Sequence, residues 1–419
     1  MKSPALRYLD ARARFGMKFG LETMRALMEA LGHPERAAPA LLVAGTNGKG
    51  SVVAYLDAAL RASGLRIGRY TSPHLVRVHE RIVVAGRPIS ERALDRAIAR
   101  ISAAAERLIA RGAIPAQPTY FEALTAAAFL HFRDRRVDVA VLEVGLGGRL
   151  DATNVSDPLV AAIVSIDLDH EAFLGTTLAR IAREKAGVLR PGRETILGPL
   201  EPAARQAIAR AARKRRARVV DSLTGARWRE TSSGLELRTP ERVYRGLRPL
   251  PGTHQRANLA VAVRVLEAAR RAGVPVALDA VARGVERVAW PGRLQWVEAH
   301  PRRLLDGAHN PAAARALARY LEGVPRFVLV FGVMRDKDIR GMAEALFPLA
   351  GAIVLTTPES RRAASPAEIA RRSGALARGA RRVKSPRRAL ALARRLAGRD
   401  GTVVVAGSLY LVGALLPRR

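Results

Sequence analysis

The apolar positions of this chain keep two spacings, and the points where one gives way to the other divide it into elements. Residues 40–44 are apolar without a break and read as a fully buried strand. Gly45, Gly48 and Gly50 interrupt the run. Val52, Tyr55, Leu56, Ala59 and Leu60 then share one helical face, which ends near Gly64. The pairing recurs. Residues 67–70, 137–142 and 159–166 read as strands, the second a central parallel one that ends in Glu143. Residues 21–31, 90–111 and 120–132 read as helices, the first stopped by Gly32 and Pro34. Thr119 and Glu122 have the capping-box spacing that opens the third. Thr176 or Thr177 caps a further helix that runs to Gly187.

Residues 193–220 read as a strand followed by a basic helix. Residues 221–250 alternate polar and apolar, with turns at Gly225 and Gly234, which predicts a small antiparallel piece. Pro251-Gly252-Thr253-His254-Gln255 opens a helix over 256–272, and Trp290-Pro291-Gly292-Arg293 breaks the chain. Beyond that break the rhythm restarts. A strand ends at Asp306, a helix carries Pro311 in its first turn, and residues 327–332, 353–356 and 403–406 are further strands. The expected fold class is α/β. An N-terminal domain over 1–295 has a mostly parallel central sheet plus the antiparallel piece, and a smaller Rossmann-like α/β domain spans 296–419. No G-x-G-x-x-G is present, so dinucleotide binding is not supported. No repeat of fixed period is visible.

Composition changes this picture at three points. The 419 residues suffice for two or three domains with cores of their own. Cysteine is absent, which excludes disulfides, thiolate metal sites and a cysteine nucleophile, and suits a reducing compartment. Residues 1–20 carry charges throughout, unlike a secretory leader, and no apolar run reaches the ~18 to 20 residues of a membrane helix. A cytoplasmic protein with no membrane partner is expected. The charge is extreme, +34, from 71 basic and 37 acidic side chains. That balance suits nucleic acid, an anionic membrane or polyanionic small molecules. Almost all the bases are arginine, which together with the abundant alanine fits a GC-rich coding bias. The clusters at 210–218 and 361–399 lie largely on helical patterns and read as solvated faces. No interleaved aromatics mark a base-stacking platform, so no nucleic-acid partner is expected.

Candidate chemistry sits at strand ends. Gly45-Thr46-Asn47-Gly48-Lys49-Gly50-Ser51 occupies a strand-to-helix turn. Such a turn aims backbone N–H groups and the positive end of a helix at one spot, which a polyphosphate can fill. Lys49 adds a point charge for the outer phosphates, and the Ser51 hydroxyl can reach a bound Mg²⁺. The spacing departs from G-x-x-x-x-G-K-[ST], because Gly50 separates Lys49 from Ser51. Ser72 leaves the end of strand 67–70 as a metal-ligating hydroxyl or the first residue of a Ser-Pro turn. Glu143 stands where a Walker-B-type acid holds Mg²⁺, the alternative being an ion pair with Arg149. His170 follows another strand, as a ligand to a second metal or a structural group. Lys185 is either a surface neighbour of Glu184 or a buried, reactive amine.

Read together, these residues resemble a known family. The run 45–51 looks like the ATP loop of the Mur ligase superfamily. Eight further stretches narrow it: Tyr70-Thr71-Ser72-Pro73-His74; Glu143 through Asn154; Ser165-Ile166 with Asp169-His170; Glu184-Lys185-Ala186-Gly187; His254-Gln255 with Asn258; Leu305 through Pro311; Phe331-Gly332 through Asp338; and Gly407-Ser408-Leu409-Tyr410. In that order they resemble the folylpolyglutamate synthase family, whose bacterial members are often also dihydrofolate synthases. The resemblance covers nearly the whole chain.

It implies an ATP-dependent amide ligase in which a carboxylate of 7,8-dihydropteroate, or the γ-carboxylate of a folate such as tetrahydrofolate or its polyglutamates, becomes an acyl phosphate. The amine of L-glutamate then captures it. Lys49 and the turn amides would hold the phosphates, with Ser51 nearby. Ser72 and Glu143 would hold one Mg²⁺, and His170 would help hold a second. Lys185 matches a lysine carried as a carbamate, and a monovalent cation is a further possible cofactor. Asn258, Arg293 and Asp306 match contacts to the base, phosphate and ribose of ATP, and His309 matches a residue near the reacting groups. Thr119, Tyr120, Phe121 and Glu122, with Leu150, Asp151 and Ala152, match the pterin pocket. A monomer is expected. Two alternatives stand beside this reading: polyglutamylation alone, and, from another class, a basic P-loop NTPase that binds nucleic acid. A catalytically dead binding protein is disfavoured by intact Lys49, Glu143, His170 and Lys185.

Overall fold

The structure, a computed structural model, describes residues 2–12 and 20–417. The opening stretch, read above for a leader, therefore lies partly outside the described residues. Among the described residues no helix is long and apolar enough to cross a membrane. The chain forms two compact units, one from residues 2–12, 20–74, 78–249 and 257–288, the other from 75–77, 250–256 and 289–417.

The first unit is built on a sheet of eight strands: β1 Ala40–Ala44, β2 Ile67–Tyr70, β3 Ile82–Val84, β4 Arg87–Pro88, β5 Val139–Glu143, β6 Val160–Ile163, β7 Glu194–Leu197 and β8 Arg218–Asp221. Their order is β4-β3-β2-β5-β1-β6-β7-β8. From β2 to β8 every pair is parallel, and β3 and β4 add an antiparallel edge. β1 and β5 lie at the centre and are buried on both faces, which is why they read as unbroken apolar runs. Tyr55, Leu56 and Leu60 of helix Lys49–Ala62 are fully buried beneath the sheet. Leu94, Ile98 and Ile101 of helix Glu91–Ala110 and Leu124 and Phe129 of helix Tyr120–Asp134 belong to the core on this unit's sheet. A second, antiparallel sheet of β9 Arg227–Thr231, β10 Gly234–Arg238 and β11 Val243–Leu247 is the small piece expected.

The sequence pattern misplaced some boundaries here. β6 stops at Ile163, not 166, because the backbone turns away to deliver Ser165 and Asp167 to the neighbouring turn. The strand β8, parallel to β7, overlaps the end of the stretch read as basic helix. β3 and β4 were not expected either. At three and two residues they are too short to show alternation.

Thr119 does cap helix Tyr120–Asp134, and the reciprocal bond from the Thr119 N–H to Glu122 completes the box. The Thr119 and Glu122 N–H groups, which the helix itself leaves unpaired, are thereby satisfied. Thr119→Ala should lower the stability of this unit by about 1 kcal/mol, read as a shift in the urea midpoint without a change in slope. A shift in slope instead would mean the unfolded or native compactness had changed, and the cap would not be the cause.

In the second unit a six-stranded sheet takes the order β12-β13-β17-β14-β15-β16, from β12 Gln295–Ala299, β13 Arg302–Leu305, β14 Phe327–Phe331, β15 Ala350–Leu355, β16 Arg381–Arg382 and β17 Thr402–Ala406. β13 through β16 are all parallel, and β12 pairs antiparallel with β13. Leu304, Leu329, Phe331 and Val404 face one core and Leu305, Val330, Val403 and Val405 the other, so the sheet is covered on both faces. Asn310 caps helix Pro311–Leu321, with proline at its first turn as the sequence predicted. The edge strands β12 and β16 escaped the pattern. β16 is two exposed arginines, with no apolar residue to mark it.

Candidate functional site

Strand register, more than any single motif, assembles the site of the first unit. Val43 is the parallel partner of Glu143, Tyr70 of Leu142, and Ala44 of Ile163. The residues that leave these strands at their carboxyl ends therefore stand side by side along one rim: Ser72, Glu143, Gly45 and Ser165. Ligands of open α/β sheets collect at such a rim.

The turn between β1 and helix Lys49–Ala62 is held open by its neighbours. The Thr46 N–H donates to the Ser165 carbonyl at 2.9 Å and the Asn47 N–H to the Ser165 hydroxyl at 2.9 Å. The Asn47 amide donates to Asp167 at 3.1 Å. Gly48 is in the left-handed region at φ +82°, and a Cβ there would lie 2.5 Å from the Asn258 side chain. Only glycine fits. Asn258, offered by the sequence as a base contact, thus packs directly on the phosphate turn.

Two lysines converge on this turn. Lys49 Nζ donates to the carbonyls of Gly45 at 2.9 Å and Thr46 at 3.1 Å. Lys185 Nζ donates to the same Gly45 carbonyl at 2.9 Å. Lys185 is 3% exposed, which removes the reading of a surface neighbour to Glu184. Burial, and then the adjacent Lys49 charge, push its pKa down to about 7, while Asp169, Asp151 and Asp167 pull the other way. Glu184 instead pairs with Arg149 at 3.1 Å. Arg149 is thereby committed away from Glu143, so the ion pair considered for that carboxylate is not the one formed.

Glu143 is 5% exposed and accepts the Ser72 N–H at 3.0 Å. His170 lies seven residues beyond β6, in the left-handed region at φ 54°. Its Nε2 is 3.9 Å from Asp169, beyond hydrogen-bonding distance. Among the described residues no cluster of three or more His, Asp or Glu forms a protein cage for a metal. One carboxylate, two hydroxyls and an imidazole are nevertheless a fitting set for Mg²⁺. That ion keeps waters and takes substrate phosphates rather than a full set of protein ligands.

Behind this rim the core is aromatic. The Tyr70 and Phe121 rings are 5.9 Å apart, and a Cβ on Gly145 would meet the Phe121 ring at 2.5 Å. Asp151 is buried and accepts the N–H groups of Leu146 at 2.9 Å and Thr153 at 3.0 Å. Burial raises its pKa against the lowering effect of those bonds. Leu150 and Ala152 flank it on the same turn. Arg81 was not anticipated. Its guanidinium stands 5.4 Å from the Tyr120 ring centre and its Nε donates to His74 Nδ1 at 2.9 Å. Ser165 and Asp167 were likewise missing from the sequence-derived site. Their one signal was position at the end of a buried strand.

In the second unit Asp306, 8% exposed, ends β13 and accepts the N–H groups of Leu294 and Ala308, both at 2.9 Å. Burial raises its pKa, opposed chiefly by the Arg293 charge. The nearest ring nitrogen of His309 is 2.8 Å from the Gly307 carbonyl. Arg293, Asp306 and His309 are thus gathered at the carboxyl end of one strand of this unit.

A glycine turn between a central strand and a helix, with an acidic strand end beside it, defines an α/β protein of the P-loop kind. Comparison with known proteins narrows this. The Mur ligase middle domain family matches residues 43–266, and the Mur ligase glutamate ligase domain family matches 292–409. A dihydrofolate synthase/folylpolyglutamate synthase of Bacillus subtilis is 34% identical over 98% of this chain and 97% of its own length. The structure of a Mycobacterium tuberculosis folylpolyglutamate synthase complexed with ADP aligns at a TM-score of 0.90 and 34% identity, over 98% of this chain and 96% of that one. A bifunctional folylpolyglutamate synthase/dihydrofolate synthase of Yersinia pestis, complexed with AMPPNP and Mn ion, aligns at 0.86 and 35%, over 98% and 97%. The chain belongs to the Mur ligase superfamily, in its folylpolyglutamate synthase/dihydrofolate synthase family.

Proposed function

We propose that this protein uses ATP to join L-glutamate to 7,8-dihydropteroate and to the γ-carboxylate of folates. It is an acid–amino-acid ligase of folate biosynthesis. The observation that carries the reading furthest into chemistry is the convergence of Lys49 and Lys185 on the Gly45 carbonyl, in a turn shaped for phosphates.

The reaction needs no protein nucleophile. A substrate carboxylate oxygen bonds to the γ-phosphorus of ATP as the bond to the β-phosphate oxygen breaks, giving ADP and an acyl phosphate. The glutamate amine then attacks the acyl carbon, inorganic phosphate leaves, and the amine proton is lost. What the protein supplies is alignment and charge. The N–H groups of residues 45–51 and the start of helix Lys49–Ala62 would cradle the phosphates, and Lys49 would exchange its backbone acceptors for phosphate oxygens. Ser51, Ser72, Glu143 and His170 would hold Mg²⁺ at two sites, which supplies neutralisation of phosphate charge when bound. Lys185 as a carbamate would turn a buried cation into an anion. Asn258, Arg293 and Asp306 would bind base, phosphate and ribose, and His309 would lie by the reacting groups. Half-buried Tyr120 and Phe121, with buried Asp151, support a pterin site over residues 119–122 and 150–152. We assign the phosphate turn, metal and pterin chemistry to 1–295, and glutamate handling together with the ATP contact of Asp306 to 296–419. We place the protein in the cytoplasm as a monomer, in keeping with its lack of cysteine.

The test is direct. Purified protein with ATP, Mg²⁺ and labelled glutamate is offered dihydropteroate and tetrahydrofolate in separate reactions. Label should enter product in both. Label entering only with tetrahydrofolate would restrict the activity to polyglutamylation. ATP turnover stimulated by DNA or RNA, with no label transferred, would favour a nucleic-acid-dependent NTPase and overturn the assignment.

A further inference from the structure

The turn that carries Ser72 is gripped by a residue outside the proposed set of ligands. Tyr70 pairs antiparallel with Ile82, so one step further along the two chains Thr71 lies opposite Arg81. The Thr71 N–H donates to the Arg81 carbonyl at 3.0 Å. The Arg81 side chain then comes back to the same turn, where its Nε donates to His74 Nδ1 at 2.9 Å. The backbone and side chain of one residue therefore hold residues 71 and 74, and Ser72 lies between them. From there the Ser72 N–H donates to Glu143 Oε2 at 3.0 Å.

Arg81 is not a surface cation that happens to lie nearby. It is 6% exposed, and among the described residues no carboxylate pairs with it. A buried guanidinium without an acid is costly, so what surrounds it must compensate. Here the compensation is directional. The Tyr120 ring centre lies 5.4 Å from the guanidinium carbon, and the His74 bond requires an unprotonated Nδ1 as acceptor. A planar guanidinium fixes the line of its Nε–H, which a lysine ammonium on a flexible stem does not.

We propose that Arg81 is a positioning residue for the Mg²⁺ site, fixing the 71–74 turn at both ends so that the Ser72 hydroxyl and the Glu143 carboxylate are set before the ion arrives. This rests on the reading of Ser72 and Glu143 as ligands. A neutral hydroxyl competes with water for a hard cation, and it does so best when it is already in place. Movement of the turn carries away two things together: the hydroxyl, and the N–H that orients the carboxylate. One bond lost at His74 therefore loosens both ligands. Groups that orient metal ligands in this way are worth about 10- to 100-fold in metal affinity.

The test uses variants on both sides of the bond. His74 is half-buried, so His74→Phe removes the acceptor and keeps a ring without touching the core. His74→Asn keeps an acceptor near the place of Nδ1. Arg81→Lys keeps the charge and loses the planar donor, and Glu143→Gln removes a ligand outright. With protein in excess over AMPPNP, Mn²⁺ is titrated and the free ion is read by its electron paramagnetic resonance. Glu143→Gln should weaken Mn²⁺ at least about tenfold. His74→Phe and Arg81→Lys should each weaken it by about tenfold, and His74→Asn should stay within about threefold of wild type. In turnover, His74→Phe and Arg81→Lys should need about tenfold more Mg²⁺ for half-maximal rate, with kcat at saturating Mg²⁺ within about twofold of wild type. A merely structural loss lowers kcat at every Mg²⁺ concentration and shows in thermal unfolding without metal. Unchanged Mn²⁺ affinity in His74→Phe, an Asn variant as weak as the Phe variant, or a loss of kcat that saturating Mg²⁺ does not restore overturns the positioning role. Mn²⁺ affinity unmoved by Glu143→Gln overturns the metal reading on which it rests.

Discussion

Lys49→Ala should lower kcat/KM by about 10²-fold, the loss of roughly 2.7 kcal/mol of transition-state stabilisation. In the structure its ammonium already sits over the turn, on the carbonyls of Gly45 and Thr46. A triphosphate entering the cradle offers it oxygens of far greater charge, so the side chain moves only a short way to engage. Stabilisation grows as negative charge shifts during transfer, which places the loss in kcat more than in the KM for ATP. The fold should survive, because the helix that follows is anchored by Tyr55, Leu56 and Leu60, not by Lys49. Steady-state kinetics with dihydropteroate, alongside thermal unfolding, separates the two. Turnover within about threefold of wild type would remove the turn from the mechanism.

How much of this site the sequence revealed depended on where the signal was local. Lys49 and Ser51 were legible because strand, glycines, lysine and helix fall consecutively. Glu143 was legible because a carboxylate closing a buried strand is costly without a partner. Their neighbours were not. Ser165 and Asp167 support the turn from more than a hundred residues away, and only the parallel pairing of Ala44 with Ile163 brings them there. Arg81 reaches His74 and Tyr120 from an edge strand connection that has no periodicity of its own. Nor could the sequence decide between a surface and a buried Lys185. Leu178–Lys185 is strongly amphipathic, yet its last residue sits where the helix runs into a turn and the face it joins is ambiguous. The same limit explains the missed strands β4 and β16. Two-residue edges made of arginine and proline carry no apolar alternation, and their pairing is set by the strand beside them.

Lys185→Ala should lower kcat/KM by about 10³-fold with the fold intact, because it removes the group that the carbamate proposal turns into a buried anion beside the phosphates. Carbamate formation needs the free amine: nitrogen bonds to the carbon of CO₂ and a proton is released. With its pKa pushed down to about 7, Lys185 is half neutral near physiological pH, whereas an ordinary lysine is almost wholly charged. Activity in CO₂-equilibrated buffer should therefore fall as pH drops below about 7, and CO₂-depleted enzyme should regain activity on adding bicarbonate. The unmodified side chain also leaves a mark on stability. Its folded pKa lies below the unfolded value of 10.5, so between about pH 7 and 10.5 the unfolded chain holds more of the proton. Stability of CO₂-free protein should rise with pH across that window, and the destabilisation is complete below about pH 7. Lys185→Met abolishes the titration. In CO₂-free buffer it should melt higher than wild type at pH 6, with the gap closing toward pH 10. A ¹³C carbamate resonance present in wild type and absent from Lys185→Met would complete the case. Full activity in the alanine variant, or parallel melting profiles, would refute the role given to this lysine.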